Sequence, residues 1–390
     1  MLSHLTTPPR LHAAGHDAGR KVAWLELFYD LVYVAVLIQL GNALSEEISW
    51  PGVLRFVLLF APIWWAWTGI TFYMNRFVVD DLAHRLLIYV QIVAIAVLGV
   101  SVSAAFGALT MQFALAYAAI RLILVLLYLR TWRSAPATKP LTQRYVAGYV
   151  IGIGLWVVSA FLPMPWAALL WLAALAVEIG NVFAPRTRHL QSLLPPDPHH
   201  MRERYGIFVI IVLGESFIKT ITSAPGLALT PEILTFSMLG IFAVLAIWWL
   251  YFDDVETTHI KPHQWAPYVW IYAHLPLTLG LTAFGVGAKK LFQSVGAEHI
   301  KPSYLALYGG ALVLYVLALA LIELATTSKN QPTHGAASVV RRLVLASALA
   351  LLFVFGDGLN ALVLIAGVAL LLTGALLADI APKLRAATVM

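Results

Sequence analysis

The sequence predicts an all-α polytopic membrane protein, with about twelve transmembrane helices in two parallel six-helix repeats. Three observations carry that prediction. Hydrophobic residues make up 61% of the 390-residue chain and charged residues 11%, and mean hydropathy is +0.84; soluble domains are about one-quarter charged. Two motifs recur at nearly one offset: Ile63-Trp64-Trp65 returns as Ile247-Trp248-Trp249 after 184 residues, and Ile88-Tyr89-Val90-Gln91 returns as Ile271-Tyr272-Ala273-His274 after 183. Lys and Arg crowd alternate loops, as in multi-pass chains whose cytoplasmic loops are positive.

A bilayer core needs about twenty apolar residues per helix. Segments of that length lie at 23–44, 53–74, 85–107, 110–131, 144–162, 165–184, 204–223, 232–252, 266–287, 303–324, 339–356 and 358–379. The first carries Glu26 and Asp30, follows a polar leader and lacks a small-residue cleavage site, so it reads as a retained helix and no signal peptide. The second runs from the tryptophan cluster at 64, 65 and 67 to Asn75 and Arg76. Its tryptophans are expected in an interfacial aromatic belt. The third holds Gln91, the fourth Arg121, and the sixth Glu178 and Asn181. The seventh follows Glu203 and carries Glu215 and Lys219; the eighth ends at Asp253 and Asp254. The ninth holds His274 two residues before Pro276, and Asp357 precedes the twelfth. The resulting organisation is a disordered leader at 1–22, a first repeat at 23–184, a Pro-rich basic linker at 185–203, a second repeat at 204–380 and a tail at 381–390.

Orientation follows from the basic residues. Arg10, Arg20 and Lys21 lie in the leader, Arg76 and Arg85 in the second connection, Arg130, Arg133, Lys139 and Arg144 in the fourth, Arg186, Arg188, Arg202 and Arg204 in the sixth, and Lys329, Arg341 and Arg342 in the tenth. Those connections and both termini are expected to be cytoplasmic. The ninth loop, with Lys289, Lys290 and Lys301, is the exception. Six helices per copy return the chain to its starting side, so the second copy enters the membrane the same way round, and such duplications place binding or transport sites at the seam. The net charge of +6 forms no run or face, which argues against nucleic acid as a partner. Absence of cysteine excludes thiolate metal sites and thiol nucleophiles. No HExxH, GxSxG, Walker or GxGxxG motif occurs, so no catalytic residue, metal or cofactor is assigned. The partners expected are the lipid bilayer and a small solute or ion.

An ionised side chain at the bilayer centre costs about 2.5–3.5 kcal/mol on insertion scales, which makes each intramembrane acid or base a functional candidate. Glu215 lies near mid-segment after Gly214. Its structural alternative is an ion pair with Lys219 or Arg121. Glu26 and Asp30, spaced i, i+4, share one helix face. Asp30, Gln91 and His274 are candidates to line a path with Glu215 and Glu26; a neutral packing histidine is the alternative for His274, since imidazole titrates near pH 6.5. Asn75, Arg76, Asp80, Asp81, His84, Arg85, Glu203, Asp253 and Asp254 are candidates for a cytoplasmic mouth. Internal pairing is the expectation for Arg121, Glu178, Asn181 and Asp357.

Four motifs in order add a resemblance: Trp24-Leu-Glu-Leu-Phe-Tyr-Asp30; Trp64-Trp65-Ala-Trp67-Thr-Gly69 running to Asn75-Arg76-Phe77; Asp80-Asp81-Leu-Ala-His84-Arg85; and Glu203-Arg-Tyr-Gly206 through Leu213-Gly-Glu215-Ser216. From about residue 20 to 380 the chain resembles the bacterial low temperature requirement A (LtrA) family. The resemblance implies a polytopic inner-membrane protein linked by name to growth in the cold, and it assigns no residue a role. The reading reached from the residues is a transporter coupled to protons or cations, for a small solute. The alternatives are a membrane-embedded enzyme acting on a lipid head group at the cytoplasmic face, and a sensor or assembly factor that moves nothing.

Overall fold

The computed structural model describes residues 7–12, 22–221, 230–328 and 335–388. The chain is all-α apart from two short ribbons. After β1 (Arg10–Leu11) come α1 (Trp24–Glu46), α2 (Trp50–Arg76), β2 (Phe77–Val78), α3 (Leu82–Ser101), α4 (Thr110–Ser134), α5 (Lys139–Ser159), α6 (Trp166–Phe183) and α7 (Pro185–Leu193). They are followed by α8 (Pro198–Ile221), α9 (Pro231–Thr257), β3 (His259–Ile260), α10 (Ala266–Phe292), α11 (Pro302–Ala325), β4 (Thr326–Thr327), α12 (Ala336–Val354) and α13 (Ala361–Thr388). β1 pairs antiparallel with β2, and β3 with β4.

Eleven helices among the described residues are long and apolar enough to cross a membrane, against the twelve expected. The difference is α8. It has 24 residues but carries Arg202, Glu203, Arg204, Glu215 and Lys219, a charge density that sets it apart from its neighbours. The 185–203 segment, expected as a linker, is largely helical, because its prolines stand where helices begin: Pro185 opens α7 and Pro198 opens α8. Proline's fixed φ and missing N–H suit the first turn, where that N–H has no partner anyway. Of the leader, expected to be disordered, residues 10–11 are paired as β1; positions 1–6 and 13–21 lie outside the described residues.

The fold comprises two compact units, one of residues up to Leu40 together with Leu58–Arg204, the other of Gly41–Val57 together with Tyr205 onward. In the first, α3, α4, α5 and α6 pack each on the next, and Trp156 stacks between Tyr117 at 4.1 Å and Trp171 at 5.4 Å. Trp64, Trp65 and Trp67 are buried there, so they are core residues and not the belt expected; Trp248 and Trp249, at 42% and 47% exposure, face outward. The second unit packs α10 on α11, α11 on α12, α12 on α13 and α13 on α9. Small residues let α10 and α11 approach closely, as between membrane helices generally. A Cβ at Gly287 would lie 2.8 Å from the Tyr308 Cα, and one at Gly280 would lie 3.0 Å from the Ala311 carbonyl oxygen.

Candidate functional site

Two i, i+4 pairs meet in the first unit. Glu26 and Asp30 project from α1, His200 and Arg204 from α8, and each pair shares one helix face because side chains four residues apart are neighbours. Arg204 donates from Nη2 to Asp30 Oδ1 at 2.6 Å and from Nε to Oδ2 at 3.1 Å, while Trp67 Nε1 on α2 donates to the same Oδ1 at 2.7 Å. Glu26 Oε2 lies 3.2 Å from Arg204 Nη1 and 3.2 Å from His200 Nε2. All four charged or titratable groups are buried. Two carboxylates face one guanidinium and one imidazole. Uncompensated charge in such a setting is strongly unfavourable, so the four groups are held as one set.

The residues expected at a mouth divide by what they touch. Asn75 exchanges two hydrogen bonds with the Asp197 backbone, at 2.8 and 3.0 Å, and Arg76 Nε donates to the Leu194 carbonyl at 3.2 Å. Both fasten the α7–α8 connection. Asp81 caps α3 by accepting the His84 backbone N–H at 2.8 Å, and takes Arg130 Nη2 at 2.6 Å. His84 is buried, stacked on Tyr73 at 6.2 Å and within electrostatic reach of Glu26. Asp80 and Arg85 form an exposed pair, and Glu203 is half-buried. Asp253 in the second unit is half-buried; the Asp254 side chain lies outside the described residues.

Deeper in the first unit, Gln91 Nε2 donates to the Ile120 carbonyl at 2.9 Å. Arg121 on α4 pairs with Glu178 on α6, Nη2 to Oε2 at 2.6 Å, and Trp65 Nε1 donates to the same oxygen at 2.8 Å. The guanidinium lies between the Tyr117 and Tyr149 rings, 5.1 Å from each centroid. Asn181 donates to the Arg144 carbonyl; Asp357 is exposed.

In the second unit, Glu215 takes Lys219 as its partner at 3.2 Å, one turn along α8. A Cβ at Gly41 would lie 2.8 Å from the Lys219 Nζ. His274 is closed on both sides: Nδ1 bonds the Trp270 carbonyl at 2.7 Å and Nε2 the Tyr251 hydroxyl at 2.9 Å. The carbonyl makes Nδ1 the donor, and in the neutral tautomer Nε2 accepts from the Tyr251 hydroxyl. Arg342 on α12 bonds Glu323 on α11 at 2.8 Å and Asp379 on α13 at 2.5 Å, and Arg341 bonds Asp379 at 2.7 Å.

His200, Arg204 and Trp67 were absent from the sequence candidates. The i, i+4 spacing of His200 and Arg204, mirroring Glu26 and Asp30, is the available signal; by sequence alone His200 lies inside the Pro-rich 185–203 segment and Arg204 at its edge.

The sequence model of the bacterial low temperature requirement A protein (LtrA) family matches residues 21–377. An uncharacterized protein of Rhizobium meliloti (strain 1021) is 31% identical over 287 residues, 68% of each chain.

Proposed function

The chain belongs to the bacterial low temperature requirement A family, and from that premise we propose that this multi-pass membrane protein is a transporter, coupled to protons or cations, for a small solute. The observation that carries the reading is the buried Glu26–Asp30–His200–Arg204 cluster, in which two carboxylates share one guanidinium and an imidazole nitrogen lies 3.2 Å from Glu26. Ionisable groups kept inside membrane helices at such cost mark ion and proton pathways. Here the proton exchanges between Glu26 and His200, and Asp30 holds Arg204 in register. Glu215, in the second unit, is a further candidate acid, with Lys219 as its counter-ion. Gln91 and His274, both bonded to neighbouring backbone, hold helices of their own unit.

The finer architecture is part of this proposal. We take residues 23–184 and 204–380 as two parallel six-helix repeats, a reading supported by the repeated tryptophan motifs and by the two-residue strand that follows both α2 and α9. The Lys and Arg bias supports an inner-membrane location with both termini in the cytoplasm. A lipid-directed enzyme would need Asp80, Asp81 and His84 converging on one open surface; the capping and ion-pair bonds of Asp81 favour that less.

The test is reconstitution in liposomes containing a pH-sensitive dye, with an imposed potassium diffusion potential. Wild-type protein should admit protons; Asp30→Asn, Glu26→Gln and Glu215→Gln should each remove that flux while the protein remains folded. Flux that survives all three substitutions would sink the reading.

A further inference from the structure

A strongly charged surface of the first unit has no part in the buried cluster: the end of α4, α5 and α6 where α7 lies. Between residues 131 and 196 the cations are Arg133, Lys139, Arg144, Arg186 and Arg188, and the one acid, Glu178, is buried on Arg121. Arg133, Lys139, Arg186 and Arg188 are exposed. The acids that open α3 at this end are already taken, Asp80 by Arg85 and Asp81 by Arg130. At the other end of the same helices the chain carries no charge at all, since 86–120 and 145–177 contain no Asp, Glu, Lys or Arg; Phe161 and Trp166 are exposed there instead.

Helix spacing shows which way these cations face. On α4 the exposed side chains Leu122, Leu126, Leu129 and Arg133 follow at i, i+4, i+7 and i+11, one face of one helix. On α5 Lys139, Gln143, Ala147 and Val150 repeat the pattern from the other direction, and on α6 Leu172, Ile179 and Phe183 are exposed before Arg186 and Arg188 follow on α7. Exposed apolar side chains on a spanning helix lie against acyl chains, so each stripe runs along lipid and ends in a cation. Arg133 lies about 16 Å beyond Leu122, half the thickness of a hydrocarbon core, where a basic side chain keeps its stem among the tails and its charge among the head groups. The cations are also held in place. Gln191 Nε2 fastens α7 by donating to the Tyr145 hydroxyl at 3.0 Å and the Val182 carbonyl at 3.3 Å, with Thr187 buried one turn earlier on the same face, which leaves Arg186 and Arg188 outward. Lys139 Nζ stands 5.5 Å from the centroid of the Trp132 ring, whose N–H donates to Thr142 Oγ1 at 2.8 Å.

We propose that this end of the first unit is a binding surface for anionic phospholipid: Arg133, Lys139, Arg186 and Arg188 take the phosphates, and the apolar stripes of α4, α5 and α6 hold the acyl chains. Clustered basic side chains directly beyond a spanning helix recognise anionic head groups in this way. The continuity of charge and stripe selects the occupant. A nucleic acid or an acidic protein would use the cations and leave the stripes, while a zwitterionic lipid would use the stripes but bring an ammonium or choline group against four cations. The surface is independent of the transport reading, because it concerns the lipid the protein selects and no solute that crosses.

The experiment is native mass spectrometry of the full chain in detergent micelles, titrated with phosphatidylglycerol and, separately, with phosphatidylcholine of the same acyl chains. A Lys or Arg beside an anionic head group is worth about fivefold in affinity, so phosphatidylglycerol should bind at least about tenfold more tightly than phosphatidylcholine. The variant combining Arg133→Gln, Lys139→Gln, Arg186→Gln and Arg188→Gln should bind the two lipids within about twofold of each other. Should that variant not fold, Arg133→Gln with Arg186→Gln decides, and should weaken phosphatidylglycerol alone by at least about fivefold. Equal affinity for the two lipids in the wild type, or unaltered phosphatidylglycerol affinity in the double variant, would overturn the surface. So would a preference that survives the fourfold variant, which would move the lipid to other cations such as Lys289, Lys290 and Lys301. Lipid preference in a protein that passes no protons in liposomes would sink the transport reading alone; proton flux without lipid preference would sink only this surface.

Discussion

The two units treat buried charge differently. In the second, Arg341 and Arg342 meet Glu323 and Asp379, two cations with two anions, each joined to an opposite charge at 2.5–2.8 Å, and His274 is bonded at both ring nitrogens. These charges are balanced and bonded from helix to helix, which is how a polar network fastens helices in a medium without water. In the first unit, two carboxylates, Glu26 and Asp30, share the guanidinium of Arg204, and the His200 imidazole lies beside Glu26. A network of two cations with two anions resists change, while two carboxylates sharing one guanidinium are a place where potential or ligand can act.

Substitutions can break that comparison, beginning with the largest effect. Arg204→Gln leaves two buried carboxylates without a cation and should destabilise the protein by about 3–5 kcal/mol, read as a large fall in melting temperature in detergent; restoring neutrality with Asp30→Asn in the same chain should recover much of it. A small effect of Arg204→Gln alone would mean that the cluster is not held as an ionised set. Arg342→Gln should cost about as much stability yet leave proton flux of the surviving folded fraction unchanged, because its network is a fastening. Loss of flux in that variant would erase the distinction between the units. Gly287→Ala, placing a methyl 2.8 Å from the Tyr308 Cα, should lower stability by about 1–3 kcal/mol through overpacking, with no change in coupling. Tyr251→Phe removes one hydrogen bond to His274 and should cost about 1 kcal/mol, with flux intact; a flux change there would bring His274 back as a proton carrier.

Some of this was legible without coordinates. Glu26 and Asp30 stood out through their spacing and their depth in an apolar segment, and the Glu215–Lys219 alternative came from the i, i+4 rule alone. Both depend on residues within one helix, where the 3.6-residue period fixes neighbours in advance. Arg204 reads as a loop cation because it stands at the first position of the 204–223 segment, next to Arg202 and the Pro-rich stretch before it. Trp64, Trp65 and Trp67 suggested a membrane belt: a tryptophan's preference for interfaces is statistical, and it yields where a buried carboxylate such as Asp30 or Glu178 can accept its N–H.

Composition and periodicity alone determined the class, the positions of most helices and which side chains were costly to keep in lipid. These are local sums over about twenty residues, and the bilayer imposes its length and polarity on each span separately. Pairing was decided only in three dimensions. Asp30 meets Arg204 across 174 positions, Trp65 meets Glu178 across 113, and Gly41 makes room for Lys219 on a different helix. No window of sequence contains both partners of such a contact. Whether a buried charge is balanced, and so whether it fastens or functions, is a property of the pair.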